Sequence, residues 1–139
     1  MTVVTGERQF AAPRERVYAL LTDPEVVCSA IPAVRSHRIV DEDHFEAKVR
    51  VPIPLAPKVT IRFEVLQRRP VEHAGLRAHG GGADVTSTFE LHEHDGGTLM
   101  QWHAQLEVAG VLGRVIGHGL DSVAVRQANR TLDAVERAL

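Results

Sequence analysis

The sequence ends in one amphipathic segment that is long enough to cover a sheet. Over residues 111–139, apolar side chains recur every third or fourth position, which predicts one long helix with an apolar stripe. The preceding segments alternate apolar and polar residues at 45–51, 59–65, 85–91 and 100–108, and more weakly at 71–79. Such alternation predicts antiparallel strands with one apolar face. We therefore predict an α+β helix-grip fold, in which a curved antiparallel sheet of about six to seven strands surrounds the C-terminal helix.

The N-terminal part predicts one strand followed by two short helices. Residues 2–10 alternate loosely, as a strand would, and Pro13 suits the first turn of a helix over residues 14–22. Asp23-Pro24 places an N-cap carboxylate before a proline at the first position of a second helix, which ends before Pro32. Asp95-Gly96-Gly97 predicts a hairpin, and the three glycines at 80–82 predict a turn or bulge. We expect a single domain spanning residues 1–139.

Charge and cysteine content exclude several classes of protein. The formal net charge is −2, whereas nucleic-acid binding needs a concentrated positive surface. The single cysteine, Cys28, cannot form an internal disulfide, which suits a reducing compartment. The N-terminus lacks the basic start and apolar run of a signal peptide, and no apolar run reaches the roughly 18 residues that span a bilayer. We expect a cytoplasmic protein that binds no nucleic acid, and peripheral contact with a membrane stays open.

Short motifs along most of the chain resemble one known family. They lie in the first predicted helix, between the two helices, just after the second helix, in the last hairpin and at the start of the last helix: residues 12–18, residues 21–26, Ile31-Pro32, Gly96-Gly97-Thr98-Leu99 with Trp102, and residues 110–120. These motifs resemble the START-like superfamily of helix-grip domains and, within it, most closely the CoxG family, named for the G subunit of carbon monoxide dehydrogenase. One departure is Ala33, because the family usually has glycine after this proline.

The resemblance implies a cavity between sheet and helix that binds a hydrophobic small molecule. The strand alternation and the helical period then predict its lining: Phe63, Val65, Phe89, Leu91, Met100 and Trp102 from the strands, and Leu112, Ile116, Leu120 and Ala124 from the last helix. His118 would lie at the cavity mouth, where it either contacts a ligand oxygen or is a solvated surface histidine. Alternatively, the bulky side chains fill this space, since most small domains are packed solid.

Three functions are consistent with this sequence. The first is non-catalytic binding of a lipid or an isoprenoid quinone, as a carrier or an accessory to a redox enzyme. The second is an enzyme of the polyketide cyclase or aromatase type, which needs polar groups inside the cavity, where the predicted inner face offers chiefly Ser87 and Gln67. The third is a protein-only accessory for assembly of a molybdenum-containing dehydrogenase. We favour the first, with no catalytic residue and no cofactor.

Histidines and the cysteine could in principle bind a metal or act as a nucleophile, but the residues near them in sequence do not support these roles. His92 and His94 share a predicted polar strand face with Glu90, but a zinc site normally needs three or four fixed ligands, so we expect no metal. Cys28 has no predicted base beside it, and we expect a small buried side chain. Glycines weaken the first part of the last helix. They predict either close packing on the sheet or a gate that yields to the ligand: Gly110, Gly113, Gly117 and Gly119.

Overall fold

The computed structural model describes residues 2–31, 34–50, 58–109 and 119–139. Seven strands and three helices follow one another in this part of the chain. Their bounds are β1 Thr2–Phe10, α1 Arg14–Leu21, α2 Pro24–Ala30, β2 Val34–Ile39, β3 His44–Val49, β4 Val59–Arg69, β5 His73–Gly80, β6 Ala83–His94, β7 Gly97–Val108 and α3 Leu120–Arg137.

The strands form one antiparallel sheet in the order β1-β7-β6-β5-β4-β3-β2. β1 and β2 therefore occupy opposite edges, and α1 and α2 connect them. At the start of α2 the Asp23 carboxylate accepts a hydrogen bond from the Glu25 amide at 3.0 Å, as the N-cap prediction required. The α+β architecture of a seven-stranded sheet with a C-terminal helix confirms the predicted fold class.

Two of the predicted turns are tight two-residue hairpins. Asp95 and Gly96 connect β6 to β7 with φ values of 49° and 77°, and Gly81 and Gly82 connect β5 to β6 with 58° and 87°. Positive φ at both central residues defines a type I′ turn, whose twist matches that of the flanking strands. At Gly81, an added Cβ would also meet the Val59 side chain, so this turn packs directly on the start of β4.

One strand and one side-chain orientation differ from the sequence-based expectation. β2 carries Arg35, His37 and Arg38 and has no apolar alternation, so its pattern did not predict a strand; it forms an exposed edge paired with β3. Gln67 was expected on the inner face but is exposed. Its φ of 51° and a register irregularity after Leu66 break the alternation of β4, which turns Gln67 away from the interior.

α3 lies across one face of the sheet and packs mainly on β1 and α2. Leu132 and Val135 are 5% and 1% exposed, which confirms the apolar stripe predicted for this part of the helix. Arg8, on the inward side of β1, reaches the same part of α3 and lies 2.7 Å from the Asp133 carboxylate. The predicted helical segment before Gly119, including the proposed gate glycines Gly110, Gly113 and Gly117, lies outside the described residues. Within the described part of the chain, no helix is long and apolar enough to cross a bilayer.

Candidate functional site

The inner face of the sheet, which is the face toward α3, is lined by apolar and small side chains. Cross-strand register brings Val65 opposite Leu76, Ala78 opposite Val85, and Phe89 opposite Trp102. The inward positions of β5 are Ala74, Leu76, Ala78 and Gly80, and those of β6 from residue 83 to residue 91 are Ala83, Val85, Ser87, Phe89 and Leu91. A ligand on this face would therefore meet a surface that is almost entirely apolar.

One end of this inner face is closely packed. We call it the closed end and define it by Phe10, Val17, Leu91 and Val135, which are all at most 2% exposed. They belong to one core cluster that joins β1, β6, α1 and α3. With side chains this deeply buried, the closed end has the close packing of an ordinary protein core.

Polar contacts also fasten the closed end. The Tyr18 hydroxyl donates to the His73 carbonyl at 3.1 Å, and the Tyr18 ring meets Phe89 edge-on with centroids 6.1 Å apart. Burial raises the pKa of Tyr18, so the hydroxyl stays protonated as a donor. The fully buried Thr98 hydroxyl donates to the Ala12 carbonyl at 2.7 Å and fixes the start of β7 against the chain that leads into α1. These bonds hold α1 against the sheet at this end.

The other end of the inner face is only partly buried. We call it the open end and define it by Ala78, Ala83, Val85, Val108 and Leu120, each of intermediate exposure. A cleft of about 600 Å³ at this end is lined by apolar side chains that include Leu106, Val108 and Leu120, and also by polar and charged side chains of the outer face: Arg77, His79, Asp84 and Glu107. Apolar side chains that face the helix yet remain partly accessible are the feature expected where a hydrophobic ligand is taken up.

The predicted lining residues fall into two packed groups. Phe63 and Val65 are 7% and 9% exposed and pack with Phe45, whose ring stacks on Phe63 at a centroid distance of 4.8 Å. The remaining predicted strand residues belong to the larger cluster that also contacts α3: Leu91, Met100 and Trp102 as buried members, with Phe89, Leu120 and Ala124 packed against it. Leu112, Ile116 and His118 lie outside the described residues.

Three inward residues of β5 and β6 were missing from the predicted lining. Leu76, Ala78 and Val85 lie between the two packed groups, where β5 pairs with β6. The alternation of Val85 with Ser87 and Phe89 could have indicated its inward direction. β5 gave a weak signal because its inward positions are mostly alanine and glycine, which carry little hydropathy contrast.

Two inward positions on β1 and β7 form a close contact. Gly6 lies opposite Trp102, and a Cβ added at Gly6 would come within 2.5 Å of the indole ring. The indole therefore lies over the glycine, and its 9% exposure places it in the interior. This contact makes Trp102 a fixed reporter for events on the inner face.

The polar candidates lie outside the inner face or are engaged in structural bonds. The Ser87 hydroxyl donates to the Leu76 carbonyl at 3.3 Å. His92 and His94 are exposed, and His92 lies 3.7 Å from the Glu90 carboxylate. Within residues 2–31, 34–50, 58–109 and 119–139, no group of three potential ligand side chains could hold a metal ion. Cys28 is 2% exposed, and its burial, with the nearby Glu25 carboxylate, raises the pKa of the thiol to about 11.

Solved structures share this fold at low sequence identity. A conserved protein from Geobacillus kaustophilus has a TM-score of 0.84 at 20% identity, with 99% of this chain and 94% of that chain covered. A START superfamily protein from Mycobacterium smegmatis has a TM-score of 0.78 at 15% identity, with 98% and 95% covered. A protein from Thermus thermophilus has a TM-score of 0.75 at 19% identity, with 98% and 95% covered.

Sequence comparison identifies the family directly. No curated protein matches the sequence at a significant level. The family profile of the carbon monoxide dehydrogenase G subunit (CoxG) matches residues 6–139, which is nearly the whole chain and includes both ends of the inner face. The START-like fold and this match agree with the resemblance inferred from the short motifs. The chain therefore belongs to the CoxG family of carbon monoxide dehydrogenase subunits.

Proposed function

We propose that this protein binds a hydrophobic small molecule between the inner face of the sheet and α3, and that it catalyses no reaction on it. The observation that carries this proposal is the contrast between the two ends of the inner face. Side chains at the closed end are at most 2% exposed, whereas the apolar side chains at the open end remain partly accessible. Contact between apolar surface and water is unfavourable in free energy, and a bound apolar molecule would remove this surface from water.

Small side chains support a ligand of elongated shape. Ser87 lies opposite Ala104, and Ala78 lies between Phe63 and Val85, so a strip of small side chains runs inward from the open end. Phe89, Trp102 and Leu120 would flank a chain laid along this strip. A lipid or an isoprenoid quinone has the length and apolar surface for such a site. The apolar lining favours a carrier over a cyclase-like enzyme, because general acid–base catalysis needs positioned titratable groups.

The family description adds a second proposal about the partner. The family takes its name from a component of carbon monoxide dehydrogenase. We infer that this chain carries its ligand to or from a redox enzyme of that type, working in the cytoplasm or at a membrane surface. A protein-only role in assembling a molybdenum-containing dehydrogenase would need no ligand, so a ligand-binding experiment separates the two roles.

The decisive experiment places a bulky side chain on the inner face at its open end. Ala78→Phe places a ring at an inward, partly buried position of β5 and should abolish binding of decylubiquinone and oleate, measured by Trp102 emission. Thr86→Phe is the matched control, because Thr86 lies beside Arg77 on the outer face of β6. We expect the control to bind as the wild type does.

Two results would refute the proposal. One is unchanged Trp102 emission in the wild type with every lipid and quinone tested, together with no co-purifying lipid in the mass spectrum of gently purified protein. The other is equal affinity in Ala78→Phe and Thr86→Phe. Urea unfolding of both variants confirms that they are folded before their affinities are compared.

A further inference from the structure

The two edges of the sheet are protected to different degrees. Edge strands expose unpaired N–H and C=O groups, which folded proteins usually shield with charged side chains, proline or a bulge. β2 has such protection, because Arg35 and Arg38 are charged and the register of its pairing with β3 shifts just after Val34. Residues 2–6 of β1 carry no charge and no proline, and they pair with β7 in unbroken register. Val3 in this segment is 52% exposed, so the first half of β1 is an unprotected edge.

The backbone groups of Val3 and Thr5 point away from β7. The Ala109 amide donates to a carbonyl of the turn between β5 and β6 at 2.8 Å, so the odd-numbered positions of β7 bond to β6. Because bonding alternates along an antiparallel strand, the even-numbered positions of β7 bond to β1. Register places these opposite even-numbered positions of β1, as in the pair of Val4 with Ala104. The odd-numbered positions of β1 therefore direct their N–H and C=O groups to the free edge.

The unprotected edge adjoins a cleft beside α3, which packs along β1. This cleft has a volume of about 670 Å³ and is lined by residues 3–5 of β1 and, on α3, by Asp121, Ser122, Val125, Arg126 and Asn129. Val125 is half-buried, whereas Asp121 and Arg126 are exposed. The cleft therefore combines apolar valine side chains with one charged group of each sign.

We propose that two copies of this chain pair through residues 2–6 of β1, antiparallel and about a two-fold axis at Val4, to form a dimer with one continuous sheet. This axis places Val3 of one copy opposite Thr5 of the other, so their outward N–H and C=O groups form paired hydrogen bonds. The charged residues of β1, Glu7 and Arg8, lie outside the paired segment. The dimer goes beyond the proposed function and does not depend on a ligand.

A second copy fits this edge because the edge is complementary to itself. In a two-fold interface the same surface of both copies meets, so it must not place like charges opposite each other. The paired segment is uncharged, and the cleft brings Asp121 and Arg126 from each copy, so every charge has an opposite charge to meet. The edge also requires an extended strand with free N–H and C=O groups, and each copy supplies one.

The proposed interface reaches the open end of the inner face. Thr2 lies opposite Gly6 of the second copy in this arrangement, and Thr2 also lines the cleft at the open end. The second copy would therefore border the rim of that cleft, and dimerisation would change the surface around the open end in both copies.

Sedimentation equilibrium tests the strand pairing. The wild type should show a monomer–dimer equilibrium that shifts toward the dimer as the concentration rises. Thr5→Pro removes an outward N–H and leaves the bonds to β7 intact, and proline is tolerated on an edge strand whose N–H faces solvent. The symmetric dimer loses this hydrogen bond in both copies, so its dissociation constant should rise at least about tenfold. Thr5→Val, the matched control, keeps the N–H and should dimerise within about two-fold of the wild type.

Charge reversal in the cleft provides a second readout. Asp121→Arg gives the cleft two positive groups and Arg126→Glu gives it two negative groups, so each variant should dimerise at least about tenfold more weakly than the wild type. An equimolar mixture of the two variants should form a heterodimer, which native mass spectrometry identifies by its mass. The matched controls reverse the same charges at exposed positions of α1, with Glu15→Arg and Arg16→Glu, and should dimerise as the wild type does.

Three results would each overturn the dimer. The first is a wild type that remains monomeric at every concentration. The second is an equal dissociation constant for Thr5→Pro and Thr5→Val. The third is a loss of dimer that is no greater for the reversals in the cleft than for those on α1. Urea unfolding first confirms that each variant is folded, and if Thr5→Pro is not, the charge reversals and their mixture decide the question.

Discussion

The two ends of the inner face should respond differently when α3 loses a leucine. Leu132 lies at the closed end with 5% exposure, whereas Leu120 lies at the open end and is only partly buried. Truncation of leucine to alanine removes three carbon groups, worth about 0.8 kcal/mol each when buried, or about 2.4 kcal/mol together. The cavity left in a close-packed site raises the loss for Leu132→Ala to about 3–4 kcal/mol. Leu120→Ala should lose only about 1–1.5 kcal/mol, because part of its surface already meets solvent.

Urea unfolding followed by far-ultraviolet circular dichroism measures both losses. With a slope of about 2 kcal/mol per M, Leu132→Ala should lower the midpoint by about 1.5–2 M and leave the slope unchanged. Ligand affinity should show the reverse order, with Leu120→Ala weakened and Leu132→Ala close to the wild type. Equal losses of stability for the two leucines would refute the distinction between a closed and an open end. A loss below about 0.5 kcal/mol for Leu132→Ala, typical of an indifferent surface change, would refute its placement altogether.

Local contacts lead to three further predictions. Hydrogen exchange should be faster in the first two turns of α3 than in its last two turns, since local stability follows burial, and equal protection would contradict this. Gly6→Ala should displace the Trp102 indole, shift its emission and cost about 1–3 kcal/mol by overpacking, whereas an unchanged spectrum would show that the indole does not lie over Gly6. Hydrogen bonds to the Asp41 and Glu64 carboxylates raise the pKa of His44 above 6.5, so the stability they contribute is present below that pH and is lost as the pH rises through the folded-state pKa. His44→Gln should remove this part of the pH dependence of unfolding, and an unchanged profile would assign it to other groups.

The sheet could be predicted largely because its inner strands are buried on one face. Along β7, the alternation of Met100, Trp102, Ala104 and Leu106 with polar residues matches the alternation of buried and exposed positions. The hairpin at Asp95-Gly96 could be predicted because only a few residue pairs accept positive φ at two successive positions. In β7 and in this hairpin, the residues that the local backbone conformation favours are also the residues that tertiary packing requires.

Prediction failed where tertiary contacts override the local pattern. β2 is an exposed edge, so nothing selects for apolar alternation, and its identity as a strand comes from pairing with β3. Gln67 continues the alternation of Phe63 and Val65 in sequence, but the irregularity in β4 reverses its direction. Arg8 occupies an inward position because Asp133 on α3 lies within 2.7 Å of it, a partner more than a hundred residues away that no local window reveals.

The pairing of β1 with β7 has a consequence for the order in which the protein folds. Thr2 at the start of β1 pairs with Leu106 in β7, so the first of the seven strands cannot pair until the last one has been synthesised. Closing so large a loop costs conformational entropy, and the pairing of β1 with β7 is therefore slow. The meander from β2 to β7 can form first, because each strand there pairs with its sequence neighbour. Until then the free edge of β7 is exposed to intermolecular pairing.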